Sequence, residues 1–173
     1  MTDQHHADAI ALEAIRVLDL CRARRLTVAT AESCTGGLVA GALTEIAGSS
    51  DVVDRGLVTY SNTAKEQMLG VSPATLDAHG AVSAQTAREM VTGLLRVAGT
   101  SLGVSITGIA GPGGGSAQKP VGLVYFAAAS AGGRRIERRE VFAGQDRAGV
   151  RRLSVLTALA MLAELAAQEP VTP

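Results

Sequence analysis

The chemistry this sequence could support gathers around Ser33, in the turn Glu32-Ser33-Cys34-Thr35-Gly36-Gly37. Residues 26–31 (LTVATA) are rich in β-branched side chains and short enough for a buried strand. Beyond the turn, Leu38, Val39, Ala42, Leu43 and Ile46 recur at helical spacing. A strand, tight turn and helix in that order put Ser33, Thr35, Gly36 and Gly37 at a sheet's carboxyl edge and a helix N-terminus. Unpaired N–H groups and the positive dipole end collect there, and α/β proteins hold ligands there. Ser33 is therefore a candidate nucleophile, with the N–H groups of Thr35, Gly36 and Gly37 as donors to an oxyanion or an anionic ligand. Taken alone, the turn also reads as an ordinary helix start with Ser33 or Thr35 as N-cap. It is not a G-x-S-x-G nucleophile elbow, and no S-x-x-K follows.

A serine nucleophile needs a base. Of three histidines, His5 and His6 fall in an expected tail and His79 ends a short helix, so a Ser-His-Asp triad is poorly supplied. Arginine provides nearly all the positive charge, and the lysines are Lys65 and Lys119. An amine can lose its proton where a guanidinium cannot. Lys65 is the natural base for Ser33, provided burial or a nearby cation pulls its pKa down from about 10.4. The alternative is a solvated first-turn lysine. Tyr60, at the end of the second expected strand, could orient that amine or donate to a developing charge, or stand at the rim. Cys34 competes with Ser33 as a thiolate at a helix N-terminus, against the plainer reading of a small buried hydrophobe.

The second concentration is the loop at residues 108–119, GIAGPGGGSAQK. Lacking a Gly-Lys-Ser/Thr ending, it is not a Walker A motif. Its glycines, Gly108, Gly113 and Gly114 among them, let backbone N–H groups approach a ligand, and Thr107, Ser116 and Lys119 add donors for a phosphate. Arg147, in the first turn of the last helix, is a phosphate or carboxylate clamp candidate. Read blandly, these are a flexible surface turn and an ordinary surface charge.

The elements that must position these groups follow from periodicity. Residues 7–25 form an amphipathic helix with Ile10, Ala14, Val17, Leu18 and Cys21 on one face. Residues 52–60 form a second strand, and Ser61 or Asn62 caps a short helix. Ser72-Pro73 opens another helix, and Ser83 caps a longer one burying Ala87, Met90, Val91, Leu94 and Leu95. Residues 102–107 are a third strand. Residues 121–130 and 134–143, joined by Ala131-Gly132-Gly133, read as an antiparallel hairpin. Asp146 caps the last helix, which carries Val150, Leu153, Leu156, Leu159, Ala160 and Leu162. The expected fold is an α/β three-layer α/β/α sandwich with a mixed, mostly parallel sheet and a C-terminal antiparallel hairpin. Residues 1–173 read as one domain, with flexible tails at 1–6 and 169–173.

Composition narrows the function. A 173-residue chain can bury about 70% of its unfolded surface without disulfide or metal. Net charge is zero and aromatic residues are 2%, so there is neither a basic excess nor a stacking surface for nucleic acid. Cys21 and Cys34 make no metal-ligand spacing and no disulfide framework, which points to a reducing cytoplasm. The longest apolar tract, residues 153–167, is broken by Ser154, Thr157 and Glu164, so no membrane span is expected.

Together the motifs A-E-S-C-T-G-G, G-L-V-T-Y-S-N-x-x-K, H-G-A-V-S and S-I-T-G-I-A-G-P-G-G-G-S-x-x-K-P-V-G resemble the C-terminal domain of the CinA (competence/damage-inducible) family, from about residue 26 to 160. The family includes stand-alone PncC-type enzymes that turn nicotinamide mononucleotide into nicotinate mononucleotide and ammonia, and the chain looks like that form. The resemblance implies Ser33 as nucleophile, Lys65 as its base and Tyr60 beside them. It implies Thr107 and the glycine loop as pocket lining, and an arginine such as Arg147 at the phosphate. It further implies a small-molecule nucleotide substrate, no cofactor or metal, and a homodimer or higher homo-oligomer. The arginine-rich run at residues 134–139 maps to no family function. A non-catalytic nucleotide- or partner-binding module linked to competence or DNA damage is the alternative.

Overall fold

The computed structural model describes residues 3–171. The chain runs α1 (Asp3–Arg24), β1 (Val28–Glu32), α2 (Leu38–Thr44), a 3₁₀ turn at Ser49–Asp51, β2 (Val53–Val58), α3 (Asn62–Leu69), α4 (Pro73–His79), α5 (Ala84–Ala98), β3 (Leu102–Gly108), β4 (Leu123–Ser130), β5 (Arg135–Val141) and α6 (Arg147–Gln168). The strands form one sheet in the order β2-β1-β3-β4-β5. β1 pairs in parallel with β2 and with β3, then β3 with β4 and β4 with β5 antiparallel. Helices α1, α2 and α6 pack on one face and α3, α4 and α5 on the other. This is the expected three-layer sandwich with its C-terminal hairpin.

β1 lies between two parallel neighbours under helices on both faces, and all five of its residues are buried. Val28 faces the core shared with α1, α2 and α6, whereas Ala29 and Ala31 face α5; the small residues let α5 come close to the sheet. α6 is covered by the sheet and by α1, so its buried set is wider than a one-sided stripe. Ser154, Val155, Ala158, Met161, Ala163, Leu165 and Ala166 join Val150, Leu159 and Leu162, while Leu153, Leu156 and Ala160 are half-buried.

At the termini, α1 begins at Asp3 instead of residue 7, so residues 3–6 are helical. Glu169, placed in the C-terminal tail by the sequence, is the C-cap of α6 and pairs with Arg134 at 3.1 Å. The expected tails at residues 1–2 and 172–173 lie outside the described residues. The arginine-rich run leads from Arg134 into edge strand β5 and is tied down by ion pairs: Arg138 to Glu164 at 2.6 Å, and Glu137 bidentately to Arg88 at 2.8 Å. These contacts join β5 to α6 and α5 and blunt an exposed edge. No helix among the described residues is long and apolar enough to cross a membrane.

The topology opens a crevice at the carboxyl ends of β1 and β3. The chain leaves β1 towards β2 through α2 on one face, then returns to β3 through α3, α4 and α5 on the other. Neighbouring connections that diverge in this way leave room at the strand ends. The distance of α3 from this crevice is set by its packing on α5, where Gly93 faces the end of α3. A Cβ on Gly93 would sit 1.9 Å from the Leu69 carbonyl oxygen. Replacing Gly93→Ala is expected to destabilise the fold by about 1–3 kcal/mol through overpacking, measured as a fall in the urea midpoint. An unchanged midpoint would contradict this account of the α3–α5 contact.

Candidate active site

Two strand ends and one helix bring the sequence's serine and lysine together. Ser61 caps α3, its hydroxyl accepting from the Ala64 amide at 3.0 Å, which places Lys65 one turn into the helix. The Lys65 side chain is fully buried, and its Nζ donates to Ser33 Oγ at 3.0 Å and to the Thr59 carbonyl at 2.8 Å. Thr59 is itself anchored, its amide donating to the Glu32 carbonyl at 2.8 Å. Among the described residues no carboxylate pairs with the amine. Burial without a compensating anion disfavours the ammonium and pulls the Lys65 pKa down from 10.5 to about 8. At neutral pH roughly one molecule in ten then holds a free amine, against fewer than about one in a thousand at the ordinary value.

The turn that carries Ser33 is held from several sides. The Ser33 amide donates to the Ile106 carbonyl at 3.0 Å, and Arg151 donates to the Thr35 carbonyl at 2.9 Å. The start of α2 is satisfied by a residue the sequence reading passed over. The buried Glu32 carboxylate accepts from the amides of Gly37 and Val39 through Oε2, both at 3.0 Å. Through Oε1 it accepts from the Ala40 amide at 2.9 Å and the Thr30 hydroxyl at 3.1 Å. Neither Ser33 nor Thr35 is the N-cap, so the Ser33 hydroxyl is left for Lys65. A glutamate at the end of a strand, several residues before the helix it caps, fits none of the usual capping spacings.

The same contacts correct the expected oxyanion donors. The Gly36 amide is spent on the Ser33 carbonyl at 3.1 Å and the Gly37 amide on Glu32. Among the described residues, the amides of Cys34 and Thr35 donate to no other residue. Cys34 is buried beside Ser33, and burial pushes its thiol up to about 11, so it stays protonated near neutrality and is a weak rival nucleophile.

A cavity of about 280 Å³ opens over the pair. Of the residues expected there, Ser33, Lys65, Tyr60, Thr107, Gly108, Gly113, Gly114 and Arg147 line it, whereas Thr35, Gly36, Gly37 and Ser116 do not. Ser116 instead closes the glycine loop by accepting from the Lys119 amide at 3.0 Å, and Lys119 Nζ donates to the His79 carbonyl at 2.6 Å. Thr107 donates its hydroxyl to the Ala81 carbonyl at 2.7 Å. Gly108 has a packing reason, since a Cβ would lie 2.8 Å from the Leu123 carbonyl oxygen. Ala81, Val82 and Ile109 give the cavity apolar walls that only the H-G-A-V-S and S-I-T-G-I motifs hinted at.

Tyr60 does not orient the lysine. Its hydroxyl accepts from Arg147 at 3.1 Å, and the side chain stands at the rim, with the residue 60% exposed; the Thr59 carbonyl does the orienting. Arg147 also donates to the Gly111 carbonyl at 2.9 Å. Both partners are neutral, and among the described residues no carboxylate offsets the guanidinium. Its charge is available to an anion in the cavity.

A family model described as the CinA C-terminal domain matches residues 11–166. The nicotinamide-nucleotide amidohydrolase PncC of Escherichia coli strain K12 is 57% identical over 141 residues, which is 82% of this chain and 85% of that protein. A putative competence-damage inducible protein of Acetivibrio thermocellus is 50% identical over 137 residues, 79% of this chain and 33% of that protein. Among solved structures, the competence/damage inducible protein CihA from Agrobacterium tumefaciens superposes with a TM-score of 0.90 at 51% identity, covering 92% of this chain and 96% of that one.

With the Lys65 amine at 3.0 Å, the Ser33 hydroxyl has a proton acceptor beside it only in the fraction of molecules whose amine is neutral. Phosphonylation of Ser33 by a serine-directed fluorophosphonate is therefore expected to speed up about tenfold per pH unit below a midpoint near 8 and to level off above it. Lys65→Met is expected to remove both the reactivity and the midpoint. A pH-independent rate in the unaltered protein would contradict the role of the amine.

Proposed function

Because the chain belongs to the CinA C-terminal domain family, we propose that it is a nicotinamide mononucleotide amidohydrolase, hydrolysing the pyridine carboxamide to nicotinate mononucleotide and ammonia. The observation that carries the reading is the Lys65 amine at 3.0 Å from the Ser33 hydroxyl in a buried cleft. Relatives named nicotinamide-nucleotide amidohydrolase support the substrate class.

Neutral Lys65 takes the Ser33 proton, and the 3.0 Å contact serves the transfer in either direction. The alkoxide attacks the carboxamide carbon. Charge develops on the carbonyl oxygen, and the amide of Cys34, which lines the cavity beside Ser33 and donates to no other described residue, is the donor this turn offers it. Lys65 returns the proton to the departing nitrogen, the C–N bond breaks, and ammonia leaves an ester on Ser33. Water then attacks the ester, Lys65 accepts a proton from it, and return of that proton to Ser33 Oγ releases the carboxylic acid, which ionises in solution. Ala81, Val82 and Ile109 suit the faces of the pyridine ring. Arg147, steered by Tyr60 and Gly111, meets the phosphate, with Gly113 and Gly114 beside it.

The wider reading places this single-domain enzyme in pyridine nucleotide salvage in the cytoplasm, which the two free cysteines suit. It also makes the chain a homodimer or larger homo-oligomer, with exposed Leu12, Leu38 and Val58 among the apolar residues an interface would cover.

Ammonia released from nicotinamide mononucleotide by the purified protein tests the proposal. Ser33→Ala is expected to lower kcat at least about a thousandfold and Cys34→Ala to leave it within about threefold. Arg147→Ala is expected to raise KM roughly tenfold with a smaller effect on kcat. Full turnover in Ser33→Ala would remove the mechanism, and no ammonia from any pyridine carboxamide would remove the function.

A further inference from the structure

Glu32 precedes the nucleophile by one residue, has no exposed surface and takes part in no ion pair among the described residues. Both of its carboxylate oxygens are used twice, by the amides of Gly37, Val39 and Ala40 and by the Thr30 hydroxyl. Its side chain therefore reaches across residues 33–36 from the end of β1 to the first turn of α2, closing the turn that presents Ser33 into a ring. Its main chain does a second job, since the Glu32 carbonyl holds the Thr59 amide and the Thr59 carbonyl holds Lys65 Nζ. One residue thus braces the serine through its side chain and the lysine through its backbone.

We infer that the Glu32 carboxylate is the positioning residue of the Ser33–Lys65 pair, holding the nucleophile's turn at hydrogen-bonding distance from the amine without touching substrate. The inference rests on the Ser-Lys reading of the site but not on which amide is hydrolysed. A buried, anionic acceptor at a helix N-terminus is stabilised by the helix dipole and by charge-assisted hydrogen bonds. Glutamine cannot replace it, because whichever way its amide turns the NH₂ faces an N–H donor, that of Ala40 on one side or those of Gly37 and Val39 on the other. The turn would then have to move, and a displacement of about 1 Å at a reacting atom costs on the order of a hundredfold in rate.

The test is the rate of Ser33 phosphonylation by a fluorophosphonate, divided by the folded fraction measured on the same sample by circular dichroism. Glu32→Gln is expected to slow it about a hundredfold per folded molecule, with the pH midpoint still near 8 because the lysine's burial is unchanged. On nicotinamide mononucleotide the same variant is expected to lower kcat with KM within about threefold. Thr30→Val removes one of the four bonds to Glu32 with little change of shape, and it is expected to slow phosphonylation several-fold per folded molecule, with a lowered Tm. It carries the test if Glu32→Gln does not fold. A rate per folded molecule within twofold of the unaltered protein, in Glu32→Gln or, failing its folding, in Thr30→Val, overturns the inference. Phosphonylation needs no nucleotide, so a protein that reacts with the probe yet releases no ammonia would sink the proposed function and leave the role of Glu32 measurable.

Discussion

A lysine amine with no exposed surface and, among the described residues, no carboxylate paired with it must give up its proton more readily than one in water, and the proposed chemistry depends on that constraint. The ammonium is disfavoured because burial strips its hydration, and two neutral oxygens do not restore what an anion would. The fold therefore carries a destabilising group at neutral pH. By linkage, stability rises with pH between the folded pKa of about 8 and the unfolded value of about 10.4, because the unfolded chain binds the extra proton in that window. A group that weakens the fold where the protein works suits chemistry better than architecture.

Everything near Lys65 serves to keep that amine both dry and aimed. α3 is short, and its approach to α5 is set by a glycine that admits the Leu69 carbonyl. The neighbouring ends of β1 and β2 are joined by the Glu32–Thr59 hydrogen bond, which ties the strand before Ser33 to the segment that leads to Lys65. On the other side of the crevice, β3 contributes the Ile106 carbonyl to the Ser33 amide and Thr107 to the wall. α6 supplies Arg151 beneath the turn and Arg147 across the cavity. The amine is held by the Thr59 carbonyl and the Ser33 hydroxyl by the amine, while the main chain on either side of them is fixed by its own hydrogen bonds.

Much of this was legible in the sequence for physical reasons. Strands of small and β-branched residues, glycine stops and the Ser61, Ser83 and Asp146 caps gave the layers and the hairpin, since local propensity and tertiary burial agree there. Lys65 stood out because arginine had replaced lysine almost everywhere else. What the sequence could not disclose were contacts made by side chains far from their usual positions. Glu32 caps α2 from a strand, which takes Gly37 out of the expected oxyanion hole, and the turn's own bond to the Ser33 carbonyl takes out Gly36. Tyr60 turned to Arg147 because the Thr59 carbonyl already held the amine. The arginine-rich run pairs with charges that come from elsewhere in the chain: Arg134, just before edge strand β5, with Glu169, and Arg138 of β5 with Glu164, while Glu137 ties β5 to Arg88 of α5, a pairing invisible until the helices are placed.

With only two lysines in the chain, the ionisation of the buried amine can be watched directly by NMR of protein labelled with ¹³C and ¹⁵N at lysine. The resonance that disappears in Lys65→Met should titrate with a midpoint near pH 8 in the folded, unliganded protein. If that resonance keeps the chemical shift of an ammonium up to pH 10 while the protein remains folded, Lys65 is not the base that Ser33 requires.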